Sequence, residues 1–370
     1  MEWLPTGLPS ALKPLWSIET EGPGLGGVAA TRDLVFYSGR TLRDTADFFR
    51  CVKASDGSPV WSFSYPAPGA LDYGNSPRAT PLIHEGKVFV QGAMGHLACL
   101  DLKSGDPIWE MNLKEEFEPK EDLKWGFCAS PLIVENKLIV LPGAADCGVA
   151  ALEPAKGKVL WKSPGKAPGY GSLTQGQFHG KCQIVGHDAD SLGGWDPASG
   201  KRLWRLAPPV ANDFNVPTPI IHGDGVLIST ENNGTRHFQI RSDGSIDPQP
   251  VAVFRKLAPD THSPVRAGGR LLGISKRLFC LDATTLKPLW ELTDSAFGRY
   301  CALVATQKRA LVISLDGELL LISTEDQRGK LLAKSQIFPG EKGLYSHPAF
   351  VGAKMYARGS GNIACFSLTT

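Results

Sequence analysis

The sequence predicts an all-β fold: a β-propeller of eight four-stranded antiparallel blades, its ring closed by the N-terminal strand joining the last blade. Three observations predict it. A short phrase ending in tryptophan returns at a near-constant interval, and each interval holds four strand-like bursts. The first copy of the phrase consists of its tail alone, while the last unit of the chain lacks that tail.

The first element is residues 13–20, KPLWSIET, an outer-strand sequence with nothing before it to pair with. Fuller copies of the phrase follow: VKASDGSPVW ending at Trp61, LDLKSGDPIW at Trp109, LEPAKGKVLW at Trp161, WDPASGKRLW at Trp204 and LDATTLKPLW at Trp290. Weaker copies, IRSDGSIDP reaching Pro248 and STEDQRGKLLA reaching Ala333, fill the gap and the end. Counted from Trp16, successive end points stand 42 to 52 residues apart. Such a period admits helical pairs, propeller blades or other solenoids, and the content of each unit decides between them.

Residues 80–113 break into four β-rich bursts (80–84, 87–92, 96–100 and 107–113) punctuated by EG, AMG and SGD, and the same four recur over 130–162. Four antiparallel strands repeated radially make a propeller blade. Third strands fall around Cys51, Cys99, Ala150, Gly194, Phe238, Cys280, Leu320 and Ala364. Blades are therefore expected at approximately 27–65, 78–113, 128–163, 174–207, 216–253, 261–293 and 300–337, with 345–370 plus 13–20 closing a single domain over 1–370. Closure of this kind removes free sheet edges at the seam. Seven blades remain if the unit around Asp243, which lacks tryptophan, is not a full blade.

The phrase has a physical reading. Asp101, Asp196 and Asp282 end third strands, where a carboxylate can accept from turn amides, and Gly57, Gly105, Gly157 and Gly200 can take the positive φ the turn needs. The tryptophan then starts the outer strand and is expected between neighbouring blades, burying a large apolar area. Cys51, Cys99, Cys280 and Cys365 share one position on third strands and read as small packing residues, not disulfide partners. No CxxC and no adjacent cysteine pair is present, which removes zinc and redox motifs.

Composition agrees with an all-β domain, since 41 glycines and 28 prolines in 370 residues punctuate many turns. A net charge of +2 with no basic run longer than a pair gives no footprint for nucleic acid or anionic membrane. The mixed-charge stretch LKEEFEPKEDLK, 113–124, reads as a solvated loop between blades. No apolar run spans a bilayer, and MEWLPTGLPS lacks the basic start and apolar core of a secretory signal. The protein is extracytoplasmic if a leader has been removed and cytoplasmic otherwise, and a monomer is expected.

A terminal Asp, then Thr/Ser-Gly, then a hydrophobic-Trp outer strand resembles the PQQ-like repeat of bacterial quinoprotein propellers, over essentially the whole chain. The resemblance implies the fold and, for some members, a quinone cofactor with calcium. Quinone-using alcohol dehydrogenases of that superfamily have longer blades, an adjacent-cysteine disulfide ring and acidic calcium ligands, and this chain shows no adjacent-cysteine pair. Its compact blades are more similar to non-enzymatic members, such as the propeller lipoprotein of the outer-membrane β-barrel assembly machinery. DFNVPTPI, TENNGTR and DSLGGWD also look like uncharacterised PQQ-like proteins of planctomycete-type bacteria.

Aligning the repeats brings the residues before each first strand to one mouth of the central channel. These residues are aromatic and polar: LDYGNSPR with Tyr73, Asn75 and Arg78; KWGFCAS with Trp125; GYGSLTQ with Tyr170; DFNVPT with Phe214 and Asn215; DTHSP with Asp260 and His262; GRYCA with Arg299 and Tyr300; LYSHP with Tyr345 and His347. Lead-in loops need only polarity and turn formers, so repeated aromatics exceed the structural requirement. Two readings stand: the rings wedge between blades, or they line a concave pocket for a sugar-like or quinone-like ligand or a protein partner.

TENNGTR adds Arg236, which could pair with Asp213 or Asp260 or present its fork to an anion. Asn232, Asn233 and Gly234 read as a tight hairpin turn. His262 and His347 occupy equivalent positions and could act as acid and base or bind a metal, yet spacing identifies no third ligand. No GxSxG, HExxH, P-loop or EF-hand phrase is present. The first expectation is a non-enzymatic binding or assembly scaffold with no catalytic residues, metal or cofactor. The second is a quinone-dependent oxidoreductase, using PQQ with Ca²⁺ on a sugar or alcohol.

Overall fold

The computed structural model describes residues 3–22, 24–121, 123–325 and 328–369. Residue 370, the expected end of the last blade, lies outside the described residues, as do 326–327 within STEDQRGKLLA, 122 within the charged stretch, and 1–2. Eight four-stranded sheets form the ring, each ordered first to fourth strand. Blades 1 to 7 occupy 29–66, 82–112, 132–163, 174–206, 220–254, 265–292 and 301–336. Blade 8 takes three strands from 349–367 and its fourth from Pro14–Glu19. Trp16 stands opposite Cys365 and Ile18 opposite Ile363, so the N-terminal strand closes the ring as expected.

The unit without tryptophan is a complete fifth blade. Its outer strand is Ala252–Phe254, so Pro248 sits ahead of that strand and the tryptophan position has no counterpart there. The proline cannot donate to a ladder, which accounts for the late start.

Four of the recurring tryptophans clip their blade to the next by an indole hydrogen bond, whereas Trp204 donates to Gln183 Oε1 within its own blade at 2.8 Å. The Trp61 indole donates its Nε1–H to Leu102 O at 3.1 Å, Trp109 to Pro154 O at 2.9 Å, Trp161 to Pro197 O at 3.0 Å and Trp16 to Ala54 O at 3.2 Å. Each acceptor belongs to the turn of the following blade. The glycine of that turn lies beneath the incoming ring: a Cβ on Gly105 would stand 2.5 Å from Trp61, and one on Gly200 2.4 Å from Trp161. Positive φ, 77° and 73°, is therefore only half of their reason. Blade 5 sends no tryptophan forward, and blade 6 answers with buried Leu286 at the glycine position, despite its φ of 53°.

Size also compensates across each outer pair. Opposite the tryptophans stand Cys51, Cys99, Ala151, Gly194, Cys280 and Cys365, all small. In blade 7 the sizes are exchanged, with Leu321 opposite Ala333. The cysteines are thus spacers for an indole, and all eight are free. Burial pushes Cys51 up to about 12 and Cys99 up to about 11, so they stay thiols.

The aspartates act as read from sequence. Asp101 Oδ1 accepts from the N–H groups of Lys103 and Ser104, both at 2.9 Å, which holds its carboxyl below the usual range. Outer strands leave edges open, and Pro59, Pro107 and Pro288 at their starts blunt them. The charged stretch after blade 2 differs from a plain solvated loop. It opens with a short helix, Leu113–Phe117, whose two apolar ends are buried with Leu123 in the core between blades 2 and 3.

Candidate recognition surface at the channel mouth

A belt of small hydroxyls fixes the lead-in loops to one another. The Thr80 N–H donates to Ser130 Oγ at 3.0 Å, Ser130 N–H to Ser172 Oγ at 3.0 Å, Ser172 N–H to Thr218 Oγ1 at 3.2 Å, and Thr218 N–H to Ser263 Oγ at 2.9 Å. Five consecutive blades are stitched this way at the inner end of their first strands. Sequence reasoning passed over these residues, although a Ser or Thr recurs at that position in PRAT, FCAS, GYGS, VPT and THS. The belt supplies a rigid platform from which the less regular residues project.

The aromatic candidates form two arcs. In the first, the Trp125 ring lies 6.2 Å from Tyr73, 4.5 Å from Tyr170 and 4.5 Å from Phe214, joining the lead-in loops of blades 2 to 5. Tyr73 is 81% exposed and Phe214 47% exposed, so this arc presents ring surface to solvent. In the second, Tyr300 stands 6.3 Å from His262 and 5.7 Å from Tyr345, joining blades 6 to 8. Tyr345 is exposed, whereas crowding by protein pushes the Tyr300 hydroxyl up to about 12.

Most polar candidates are spent on holding these loops. Arg78 donates to the carbonyls of Ser76, Asp72 and Gly74 at 2.8 to 2.9 Å, curling the loop that carries Tyr73 at its tip. Asn75 accepts from Leu71 N–H and donates to Asp44, both at 2.7 Å. The strain of Tyr73 at a φ of 62° is held by that network. Asn215, buried at a φ of 53°, donates to Asp188 O at 3.1 Å, while Glu231 accepts from the Phe214 N–H at 3.0 Å. Arg299 is paired with Asp316 on the surface. Asp260 is exposed and accepts from Thr261 Oγ1 at 3.2 Å.

The two equivalent histidines are likewise tied to backbone. His262 donates Nε2–H to Ile274 O at 2.6 Å, and His347 donates Nδ1–H to Pro348 O at 3.2 Å. Desolvation holds both below the usual histidine range. His347 keeps a solvent-accessible edge.

TENNGTR forms the expected tight hairpin turn between Gly225–Thr230 and Gly234–Gln239, with Thr230 opposite Gly234. Of its turn residues only Gly234 takes positive φ, at 67°. Asn233 instead ties the preceding connection down, donating to Val210 O at 2.8 Å and to Asp213. Arg236 is 4% exposed within the third strand of blade 5, and among the described residues it makes no ion pair with Asp213 or Asp260. It lines a small cavity beside His187, behind the loop that carries Asn215. A cleft of about 620 Å³ lies between loops 66–71 and 112–124, where His96 stacks on Tyr65 at 4.2 Å. Its walls come from loops that do not repeat, which hid it from the sequence.

His187 makes stability pH-dependent. Burial, reinforced by Arg236, pushes its pKa down to about 4, against roughly 6.5 in an unfolded chain. Between these values the unfolded chain takes up a proton that the fold refuses. The stabilisation is complete above about pH 6.5 and falls by roughly 3 kcal/mol as pH drops to 4. Denaturant midpoints at pH 7 and 4.5 should therefore separate less in His187→Gln than in the unchanged protein; equal separations would show that His187 does not titrate this way.

A sequence family described as "Outer membrane protein assembly factor BamB" matches residues 13–119 and 49–291, most of the chain. The chain belongs to that family. Outer membrane protein assembly factor BamB of Shewanella oneidensis is 22% identical over 365 residues, covering 83% of this chain and 88% of its own length. 1-Butanol dehydrogenase (quinone) of Thauera butanivorans is 28% identical over 162 residues, covering 40% of this chain and 25% of the enzyme. Among solved structures, BamB from Moraxella catarrhalis aligns with a TM-score of 0.68 at 15% identity, over 96% of this chain and 100% of its own. Quinohemoprotein alcohol dehydrogenase from Comamonas testosteroni aligns at 0.71 and 13% identity, over 100% of this chain and 78% of the enzyme. Likeness at such identities shows the fold alone.

The residues present do not fit a calcium-bound quinone. Among the described residues, no three His, Cys, Asp or Glu side chains converge to hold a metal ion. Calcium takes six to eight oxygen ligands, several of them carboxylates, and the mouth carboxylates Asp213, Glu231 and Asp260 are not gathered into such a set. Asp213 already accepts from the Asn232 N–H at 2.8 Å and from Asn233. No helix among the described residues is long and apolar enough to cross a membrane.

Proposed function

We propose that this BamB-type propeller is a non-catalytic, extracytoplasmic binding or assembly scaffold that recognises a protein partner through the aromatic arcs at its channel mouth. The observation that carries this reading is the division of labour among the mouth residues. Polar groups that could orient a small ligand, chiefly Arg78, Asn75 and Asn215, are engaged with loop backbone, while Tyr73, Phe214 and Tyr345 stand exposed. Exposed aromatics on a rigid base supply contact area at low entropic cost, the composition favoured in protein interfaces. A sugar-like ligand would require free hydrogen-bonding groups beside those rings, and fewer remain there. Membership of a family of outer membrane protein assembly factors supports the same reading.

Tyr73→Ala combined with Phe214→Ala is expected to change unfolding free energy by no more than about 0.5 kcal/mol, as for exposed positions, while lowering partner affinity at least tenfold. A large fall in stability would instead make the first arc a packing element. The quinone reading draws on the dehydrogenase relatives and is tested separately. After incubation with PQQ and Ca²⁺ and desalting, the protein should retain no quinone absorbance and show no dye-linked alcohol oxidation. Retained quinone with turnover would overturn the scaffold.

A further inference from the structure

The mouth ends of blades 4 and 5 enclose a cavity lined by His187, Ser191, Asn215 and Arg236 among apolar neighbours such as Leu192 and Ile228. His187 closes the second strand of blade 4, Lys181–His187, and Arg236 lies in the third strand of blade 5, Gly234–Gln239. Both side chains are 4% exposed, and two of their atoms, His187 Nδ1 and Arg236 Nε, have no hydrogen-bond partner.

The other lining groups are already engaged. Ser191 Oγ donates to Asp188 at 2.8 Å and accepts from Arg202 at 2.9 Å, and the Asn215 amide donates to Asp188 O. Arg236 itself makes one long bond, from Nη2 to Thr230 Oγ1 at 3.4 Å, and lies over the Phe238 ring at 5.8 Å. Of the two arginines buried more deeply, Arg40 is paired with buried Asp47, whereas Arg358 has no ion pair among the described residues and donates to Gly22 O at 3.0 Å. Among the described residues Arg236 has no carboxylate within ion-pair distance, and nearby Asp213 has both oxygens occupied by Asn232 and Asn233. A buried guanidinium without a paired charge is costly, and donors converging on a cavity ask for an acceptor with negative charge.

We infer that this cavity binds one small monoanion of halide size, held between Arg236 Nε–H and the His187 ring and bridging blades 4 and 5. Its dimensions admit a single atom-sized occupant, which excludes sulfate, phosphate and carboxylates. A neutral His187 serves as the second donor in the tautomer with hydrogen on Nδ1, leaving Arg236 to supply the charge. The bridge pins the TENNGTR turn and, through Asn215, the loop that carries Phe214.

The test uses the full-length protein. Unfolding midpoints are recorded in chloride, bromide and gluconate at constant ionic strength, with Arg236→Gln alongside. The unchanged protein should gain stability with halide, its unfolding constant falling up to tenfold per tenfold rise in concentration beyond saturation, and Arg236→Gln should show no halide preference. Crystals of the unchanged protein grown in bromide should show an anomalous peak in this cavity, which decides the matter if Arg236→Gln does not fold. Equal stability in halide and gluconate, or bromide absent from the cavity, would overturn the inference and leave water as the occupant.

Discussion

Trp16→Ala should lower the free energy of unfolding by about 3 to 5 kcal/mol, the range for truncating a buried tryptophan. Trp16 is 8% exposed, lies 6.0 Å from the Tyr356 ring, donates to Ala54 O and stands over Gly57. No other tryptophan clip holds a strand contributed from the opposite end of the chain. Loss of this one releases the seam between blade 8 and blade 1, and the edge of the Asn362–Ser367 strand with it. Leu15→Ala is the control, because Leu15 is 57% exposed on the same strand and should cost almost nothing. Denaturant unfolding followed by tryptophan fluorescence compares the two. Similar small losses in both would mean that the ring does not depend on its N-terminal closure.

The second large effect concerns the exchange of sizes across outer pairs. Trp161→Ala should cost about 3 to 5 kcal/mol, and Ala151→Leu about 1 to 3 kcal/mol through overpacking against the indole. Combined, they recreate in blade 3 the Leu321 and Ala333 pair of blade 7. The double variant should therefore lose at least 1 kcal/mol less than the sum of the single losses, because leucine fills space the indole vacates. Strict additivity in a double-mutant cycle would show that the two positions do not share one packing site. The filling is expected to be partial, since leucine cannot donate to Pro197 O as Trp161 does.

Much of the ring was legible because repetition amplifies weak signals. One Asp-Gly-Trp phrase says little, whereas six tryptophans at one interval specify turn, partner strand and inter-blade contact together. Repetition misleads where a unit departs from it. Pro248 stood where the period placed a tryptophan, yet the ladder resumes only at Ala252. The cysteine positions were legible as small, but the reason for their size appeared only with the register that sets each opposite an indole.

The mouth was legible in location and less so in role. The aromatic rings cluster as their equivalent positions suggested, since position in a repeat dictates position in the ring. Which polar side chains face a ligand and which face their own backbone depends on loop conformation, and these loops do not repeat. Arg78 and Asn75 thus emerged as holders of the Tyr73 loop, and Arg236 as an interior residue. The hydroxyl belt was missed for the opposite reason: serine and threonine before a strand are too common to attract notice singly.

Site-specific photo-crosslinking in cells of the native host tests the central claim most directly. A benzophenone amino acid replaces Tyr73 or Phe214 at the mouth, or Leu160 on the exposed outer strand of blade 3. Recognition through the mouth predicts one discrete protein adduct from positions 73 and 214 and none from 160. Adducts from 160 alone, or none at the mouth under conditions where 160 reacts, would contradict it.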